Sequence, residues 1–390
     1  MIYIPREIEK EASELAENYP VLTITGPRQS GKTTLARHLF GHLPYFSFEN
    51  PDLRSLVTSD PRKFLTQLTK GAILDEIQNV PDLISYLQEV VDLKKSNELF
   101  VVTGSNHFSV MQKVTQSLAG RTGILKLLPF SLNELGTDNQ LSTNDLLIKG
   151  FYPAVYKSKI SATKIHRNYY ETYLQKDVRQ LIQIKDLNLF DKFIRICAGR
   201  TGGLLNTANI ANETGLSIPT IKSWLSVLEA SYIIMLLPPF YENIRKRMIK
   251  SPKLYFYDVG LASYLLGIDD NIQMNRDPLR GSLFENMVIM EMIKYRFNSG
   301  LDHKLSFFRD SHHNEVDIVF RKGRRLLPVE IKSSQTFNPD FMKGLDYFKS
   351  LFSKEVDNDL LIYDGSTEQS GKRSILNYKT FSGNIAEYIK

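Results

Sequence analysis

The chain has 390 residues, 42% of them hydrophobic and 24% charged, with a formal net charge of +6. Those figures suit two or three folded domains with buried cores, and they exclude a low-complexity or disordered chain. The single cysteine, Cys197, excludes an intramolecular disulfide, and seven scattered histidines offer no metal-ligand spacing, His312-His313 falling in an expected solvated turn. No run approaches the roughly 18 apolar residues that cross a bilayer, and the N-terminus lacks the basic start and apolar run of a secretory leader. A cytoplasmic protein with no membrane partner is expected.

Up to residue 155, short apolar strands alternate with helical patterns. The expected strands are Val21-Thr25, Tyr45-Phe48, Ala72-Asp75, Leu99-Thr103 and Ile124-Leu128, with helices at Lys32-Phe40, Pro61-Leu68 and Pro81-Lys94. Such alternation predicts an α/β domain whose parallel sheet is covered on both faces. A polar stretch, Gly136-Asn144, reads as a loop. Residues 156–270 are mostly helical and then give two strands around a basic loop. Residues 271–390 open with a long helix, Leu279-Phe297. Strands Leu305-Arg309, Val316-Arg321 and Leu326-Ile331 follow, then a helix Phe341-Phe352 and a strand Asp359-Tyr363.

The first strand runs into Gly26-Pro27-Arg28-Gln29-Ser30-Gly31-Lys32-Thr33, which fits G-x-x-x-x-G-K-[S/T] at every position, and Thr34 continues into a helix. Glycines let backbone N–H groups curl around phosphate oxygens, and the helix N-terminus adds its dipole. Lys32 is then expected to reach the β- and γ-phosphates of ATP, and Thr33 to offer its hydroxyl to Mg²⁺. The strand Ala72-Ile73-Leu74 ends in Asp75-Glu76. Asp75 is expected to hold the metal, and Glu76 to orient or polarise the attacking water. A further strand ends in Thr103-Gly104-Ser105-Asn106, where Ser105 or Asn106 is a candidate γ-phosphate contact or part of a plain turn. Arg121 and Arg179 are each a candidate charge-stabilising arginine or a surface ion-pair partner.

Thr207 to Glu229 has the pattern of a helix-turn-helix. Ile210 and Ala211 face inward, Gly215 makes the turn, Ser217 caps the second helix and Pro219 lies just inside its start. Ile221, Leu225 and Leu228 form its apolar stripe, leaving Thr220, Lys222 and Ser223 outward. Strands at Tyr232-Leu237 and Lys253-Tyr257 then flank Arg245, Lys246, Arg247 and Lys250, as in a winged helix with a basic wing. Together with Lys253 this makes a phosphate-contacting surface for DNA, or a solvated loop beside an interdomain packing unit.

In the last region Glu285 lies on the long helix, Asp317 on one strand, and Glu330 and Lys332 on the next, two residues apart and so on one face. Two carboxylates with a lysine can hold a second divalent metal and steady developing charge. The same residues would also serve as a cross-strand salt bridge.

The Glu…Asp…Glu-x-Lys order resembles the PD-(D/E)xK nuclease superfamily. The strand ending Thr103-Asn106 resembles the sensor strand of the AAA+ class. With Leu118-Arg121 and Tyr173-Arg179, nearly the whole chain resembles a family of bacterial and archaeal ATPases. In that family an AAA-type P-loop core precedes a winged helix and a restriction-endonuclease-like domain. The resemblance implies ATP binding, magnesium and hydrolysis, in domains 1–155, 156–270 and 271–390. It leaves open whether the last domain cuts nucleic acid or only grips it, and whether copies assemble into a homo-oligomer. A rival reading is an ATP-driven switch whose C-terminal domains make protein–protein contacts.

Overall fold

Strand β1 (Val21–Thr25) is buried at every position, as a strand covered on both faces must be. It belongs to a computed structural model that describes residues 3–93, 99–104, 114, 116–136, 141–178, 186–240, 250–370 and 373–390. The chain divides into two compact units. The first comprises Met1–Phe130, Ala230–Tyr232 and Phe297–Leu301; the second is made of Ser131–Glu229, Ile233–Arg296 and Asp302–Lys390.

In the first unit β1 joins β2 (Tyr45–Ser47), β3 (Gly71–Asp75), β4 (Leu99–Gly104) and β5 (Thr122–Lys126). The order is β2-β3-β4-β1-β5, with every pairing parallel. Alternate residues feed opposite cores, as the two-residue period of a strand dictates. Val21, Ala72, Leu74, Phe100 and Val102 pack on one face with Leu83, Ile84 and Leu87 of helix Leu83–Leu93. On the other, Leu22, Ile24, Ile73 and Val101 pack with Ala12 of helix Glu9–Asn18 and with Leu35 and Ala36 of helix Lys32–Leu39. Because β4 lies between β1 and β3, the C-terminal ends of all three meet at one edge.

The sequence places β5 two residues too late. Thr122 to Lys126 pair with β1, while the apolar run continues into Leu127 and Leu128, which are buried outside the strand. Burial that continues past the last residue in register is invisible to an apolar-run reading. Helices Glu9–Asn18 and Pro51–Ser59 also go beyond the sequence expectation. The second starts on Asn50, whose side chain accepts from the Asp52 and Leu53 amides, with Pro51 at its first position.

The second unit holds helices Leu187–Ala198, Thr207–Thr214 and Ile218–Ala230, then the antiparallel pair β6 (Ile234–Leu237) and β7 (Lys253–Phe256). Gly215 ends the Thr207–Thr214 helix at φ 77°, a left-handed turn that suits glycine. Ile210, Ala211, Ile221, Leu225 and Leu228 are buried, while Lys222 and Ser223 are exposed and Thr220 is half-buried. Trp224, not singled out in the sequence, packs edge-on against Phe190 and Phe193 at 5.6 and 5.2 Å.

Helix Arg280–Asn298 precedes β8 (Leu305–Arg309), β9 (Glu315–Lys322), β10 (Arg325–Lys332), β11 (Asp359–Tyr363), β12 (Glu368–Ser370) and β13 (Arg373–Asn377). They form a mixed six-stranded sheet in the order β12-β13-β11-β10-β9-β8. β8, β9 and β10 pair antiparallel, β10-β11 and β11-β13 parallel. The last two strands and the short helices Tyr378–Gly383 and Ile385–Ile389 lie beyond the elements read from sequence. Among the described residues no helix is long and apolar enough to cross a membrane.

Candidate functional site

The loop from Gly26 to Thr33 leaves the C-terminal end of β1 and enters helix Lys32–Leu39. Gly26 takes φ 144°, and a Cβ there would lie 2.1 Å from the Leu127 carbonyl oxygen, so no other residue fits. Gly31 takes φ 100° and Gln29 takes φ 63°, which coils the loop tightly. Arg6 braces the loop from outside. Its guanidinium donates to the Ser30 carbonyl at 2.9 Å and to that of Leu128 at 2.7 Å, and stacks over Phe130 at 4.8 Å. Sequence reading missed Arg6, since a lone arginine before a helix carries no motif.

Lys32 is buried, and its ammonium donates to the carbonyls of Gly26 at 3.0 Å and Pro27 at 2.8 Å. Burial, opposed by the Glu76 and Asp75 carboxylates, pulls it down to about 8. It is thus a cation resting on neutral carbonyls, in need of an anion. Thr33 donates its hydroxyl to Asp75 Oδ1 at 2.9 Å, joining the loop to the end of β3.

Two further groups hold Asp75. Thr103, fully buried at the end of β4, donates to Asp75 Oδ1 and accepts from the Glu76 amide at 3.2 Å. Tyr45 donates to Asp75 Oδ2 at 2.7 Å; its own burial and that contact push the phenol up to about 12. Glu76 sits at φ 58°, a left-handed turn uncommon for a side-chain-bearing residue, and accepts from Gln78. Thr103 and Tyr45 are functional candidates that a motif search passes over. The sequence marked this strand end but favoured Ser105 or Asn106; the strand order, with β4 between β1 and β3, is what brings Thr103 to Asp75.

Lys32, Thr33, Asp75 and Glu76 are therefore brought together. Arg28 lies 3.9 Å from Glu49, and Ser30 is buried. The candidate contacts Ser105, Asn106 and Arg179 lie outside the described residues. Arg121 makes a two-pronged surface pair with Asp92, Nη2 to Oδ2 being 2.9 Å.

In the second unit Glu285, Asp317, Glu330 and Lys332 also converge, with an addition the sequence did not suggest. Lys253, at the start of β7, is 2% exposed. Its ammonium lies 2.5 Å from Glu315, 3.0 Å from Glu285 and 3.6 Å from Asp317. Tyr255 donates to Glu285, the Ile331 amide donates to Asp317 at 2.8 Å, and Lys332 pairs with Glu330. Lys253 is thus no part of an exposed basic surface, contrary to the sequence expectation, and Arg245, Lys246 and Arg247 lie outside the described residues.

Burial alone would lower the Lys253 ammonium, but Glu285, Tyr255, Asp317 and Glu315 hold it well above the ordinary lysine value. Burial and the neighbouring Asp317 raise Glu285 to about 7 and Glu330 to about 8. Among the described residues no group of three or more His, Cys, Asp or Glu is arranged to hold a metal ion.

Residues 18–136 match an AAA domain family. Residues 140–272 and 280–381 match two domains of unknown function, DUF8612 and DUF4143. Over 322 residues the chain is 29% identical to the uncharacterized proteins Rv2008c of Mycobacterium tuberculosis and Mb2031c of Mycobacterium bovis, covering 81% of this chain and 71% of each relative. Among solved structures, the Walker-type ATPase PABY2304 of Pyrococcus abyssi aligns over 67% of this chain and 96% of its own, at 14% identity and TM-score 0.47. A STAND protein with a tetratricopeptide repeat sensor, PH0952 of Pyrococcus horikoshii, aligns over 76% and 47% at 10% identity and TM-score 0.25. Likenesses at that level bear no weight beside the AAA domain match, the P-loop and the five-stranded parallel sheet. Those three features make the first region an AAA-type P-loop domain of the ATP-binding kind.

Proposed function

We propose that the chain is a Mg²⁺-dependent ATPase. The observation that carries this reading is Lys32, a buried ammonium that donates to two loop carbonyls beside the Thr33–Asp75 pair. A triphosphate entering the loop gives that ammonium its anion, and the loop amides and helix N-terminus add further positive potential. The Thr33 hydroxyl and Asp75 carboxylate are hard oxygen donors next to one another, the kind of set that suits Mg²⁺. When bound, the metal would neutralise charge on the phosphates. Thr103 and Tyr45 keep Asp75 oriented, and Glu76 takes the role of aligning and polarising a water. The test is ATP hydrolysis in magnesium for wild type and Glu76→Gln. Nucleotide binding should persist in the variant while turnover is lost. Turnover unchanged in Glu76→Gln removes that residue from the chemistry; no nucleotide binding by wild type overturns the reading.

A second reading concerns nucleic acid. It is supported by the order of two short helices joined at Gly215 and an antiparallel strand pair, with Lys222 exposed. We read residues 156–270 as a helical and winged-helix domain facing DNA through Lys222 and the basic stretch Arg245-Lys246-Arg247. Residues 271–390 are read as a nuclease-like domain in which Glu285, Asp317, Glu330 and Lys332 cut or grip the strand, with a second divalent metal if they cut. DNA binding that weakens steeply with salt supports this. Salt-independent protein contacts, without DNA binding, support the ATP-driven switch.

A further inference from the structure

We infer that Lys253 is the resident cation of the second unit's carboxylate cluster, and that it competes with any divalent metal for Glu285, Glu315 and Asp317. The inference rests on the second reading above only in taking these carboxylates as able to bind metal. It is independent of the ATPase.

A lysine loses its hydration on burial, and only close anions make that tolerable. Lys253 has three, at 2.5, 3.0 and 3.6 Å, and lies 5.6 Å from the Phe307 ring centroid. Its ammonium therefore occupies the point that these three carboxylates share, and the arrangement as it stands holds no place for a metal. The backbone permits this approach. Gly202, at φ +77°, donates its amide to the Leu254 carbonyl, and a Cβ on it would meet Ser282 at 3.2 Å and Glu285 Oε2 at 3.5 Å.

Charge counting explains why the position demands a cation. Glu285, Glu315, Asp317 and Glu330 face Lys253, Lys332 and Arg309, four carboxylates against three cations. Among the described residues Glu330 Oε2 is buried without a hydrogen bond, so Lys332 alone does not satisfy this carboxyl. Removing Lys253 leaves Glu285, Glu315 and Asp317 without the cation on which all three converge, with Arg309 still paired to Glu315. Ordinary strand salt bridges do not have this property, because they balance pairwise. Metal-dependent chemistry at Asp317 and Glu330 is thus held off for as long as Lys253 stays in the cluster.

The experiment is a calorimetric titration of Mn²⁺ into the nucleotide-free full chain, for wild type, Lys253→Met and Lys253→Met/Asp317→Asn. Lys253→Met should gain one Mn²⁺ site at least about tenfold tighter than any in wild type, and the added Asp317→Asn should remove it. If Lys253→Met does not fold in metal-free buffer, the cluster lacks only its cation, so Mn²⁺ should restore folding, read by far-UV circular dichroism. No gain of Mn²⁺ binding, a gained site that survives Asp317→Asn, or a fold that Mn²⁺ does not restore would overturn the inference. A Lys253→Met protein that binds Mn²⁺ but leaves DNA uncut supports the inference and counts against cleavage in the second reading.

Discussion

Among the buried lysines of the described residues, Lys32 and Lys253 both lie near carboxylates and are in opposite electrostatic states. Lys32 in the P-loop is 4% exposed and rests on two backbone carbonyls, and burial takes its pKa down to about 8. Lys253 in the second unit is 2% exposed, sits among three carboxylates, and has its pKa held well above the usual value. A cation facing dipoles is destabilised and waits for an outside anion. One facing full charges is satisfied and blocks outside cations. The contrast teaches that a lysine-and-carboxylate motif has no chemical meaning until the lysine's nearest oxygens are known.

Exchanging each lysine for its neutral isostere tests the contrast most severely. Lys253→Met strands several buried carboxylates and should cost about 3–5 kcal/mol in metal-free urea unfolding. Lys32→Met removes a charge that burial disfavours, and should leave the ligand-free protein as stable or more so. Equal losses in the two variants would erase the distinction.

For turnover the ranking reverses. Lys32→Ala should lower ATP hydrolysis by about 10²–10³-fold, the scale for a lost charge-stabilising donor. Lys253→Arg, which keeps the cation, should leave hydrolysis unchanged. Within the first site the props on Asp75 are unequal. Thr103→Val takes a fully buried hydroxyl from a carboxylate and should cost about 1.5–3 kcal/mol in MgATP binding. Tyr45→Phe removes a more exposed phenol and should cost about 1 kcal/mol, mainly as a raised KM. A larger loss at Tyr45 than at Thr103 would mean that the phenol, not the buried threonine, orients the aspartate.

A smaller effect should appear with pH. The folded-state pKa of Lys32 lies at about 8, below the ordinary 10.5. In the ligand-free protein Lys32 is therefore charged below about pH 8 and neutral above it. Between about 8 and 10.5 the unfolded chain binds more protons, so this group's contribution to stability rises with pH there. A bound triphosphate favours the ammonium and raises its pKa. Nucleotide binding above about pH 8 should thus take up a proton and weaken as pH climbs. Calorimetry in two buffers of different ionisation enthalpy measures the uptake; proton release, or none, contradicts the assigned state.

Much of the first site was legible because its chemistry is local. Gly26 to Thr33 is one unbroken segment, and Asp75-Glu76 ends an apolar strand, so spacing alone brings out the groups. Tyr45, Thr103 and Arg6 were not legible, since they reach the site through strand order or a long side chain. The second cluster shows the same limit more sharply. Glu330 and Lys332 were found from strand alternation, Asp317 from its place on the preceding strand and Glu285 from the long helix. Lys253 belongs to a different strand pair, and its sequence neighbours Arg247 and Lys250 made it look like one more surface charge. Only the three-dimensional packing of β7 against Glu285 and Asp317 distinguishes a buried counter-ion from a phosphate contact. The β5 boundary failed for a related reason, because Leu127 and Leu128 are buried beside the P-loop just past Lys126, the last residue in register with β1.

The smallest expected effect belongs to Arg121, which the sequence left between two roles. Its guanidinium grips Asp92 with two nitrogens on the surface of the first unit, and that hydrogen-bonded pair holds the Asp92 carboxyl below its usual range. Both groups are solvated, so water and salt screen the attraction and the ordering of two long side chains offsets what remains. Arg121→Ala should therefore leave both the melting temperature and ATP turnover of the isolated chain nearly unmoved. An arginine that stabilises the developing phosphate charge behaves otherwise: its loss costs orders of magnitude in turnover with little change in nucleotide binding. Measuring kcat and nucleotide affinity of Arg121→Ala at two protein concentrations separates the cases. A kcat loss that appears only at high concentration marks an arginine acting on a neighbouring copy, one that persists under dilution marks an arginine acting within its own chain, and no loss leaves Arg121 to Asp92.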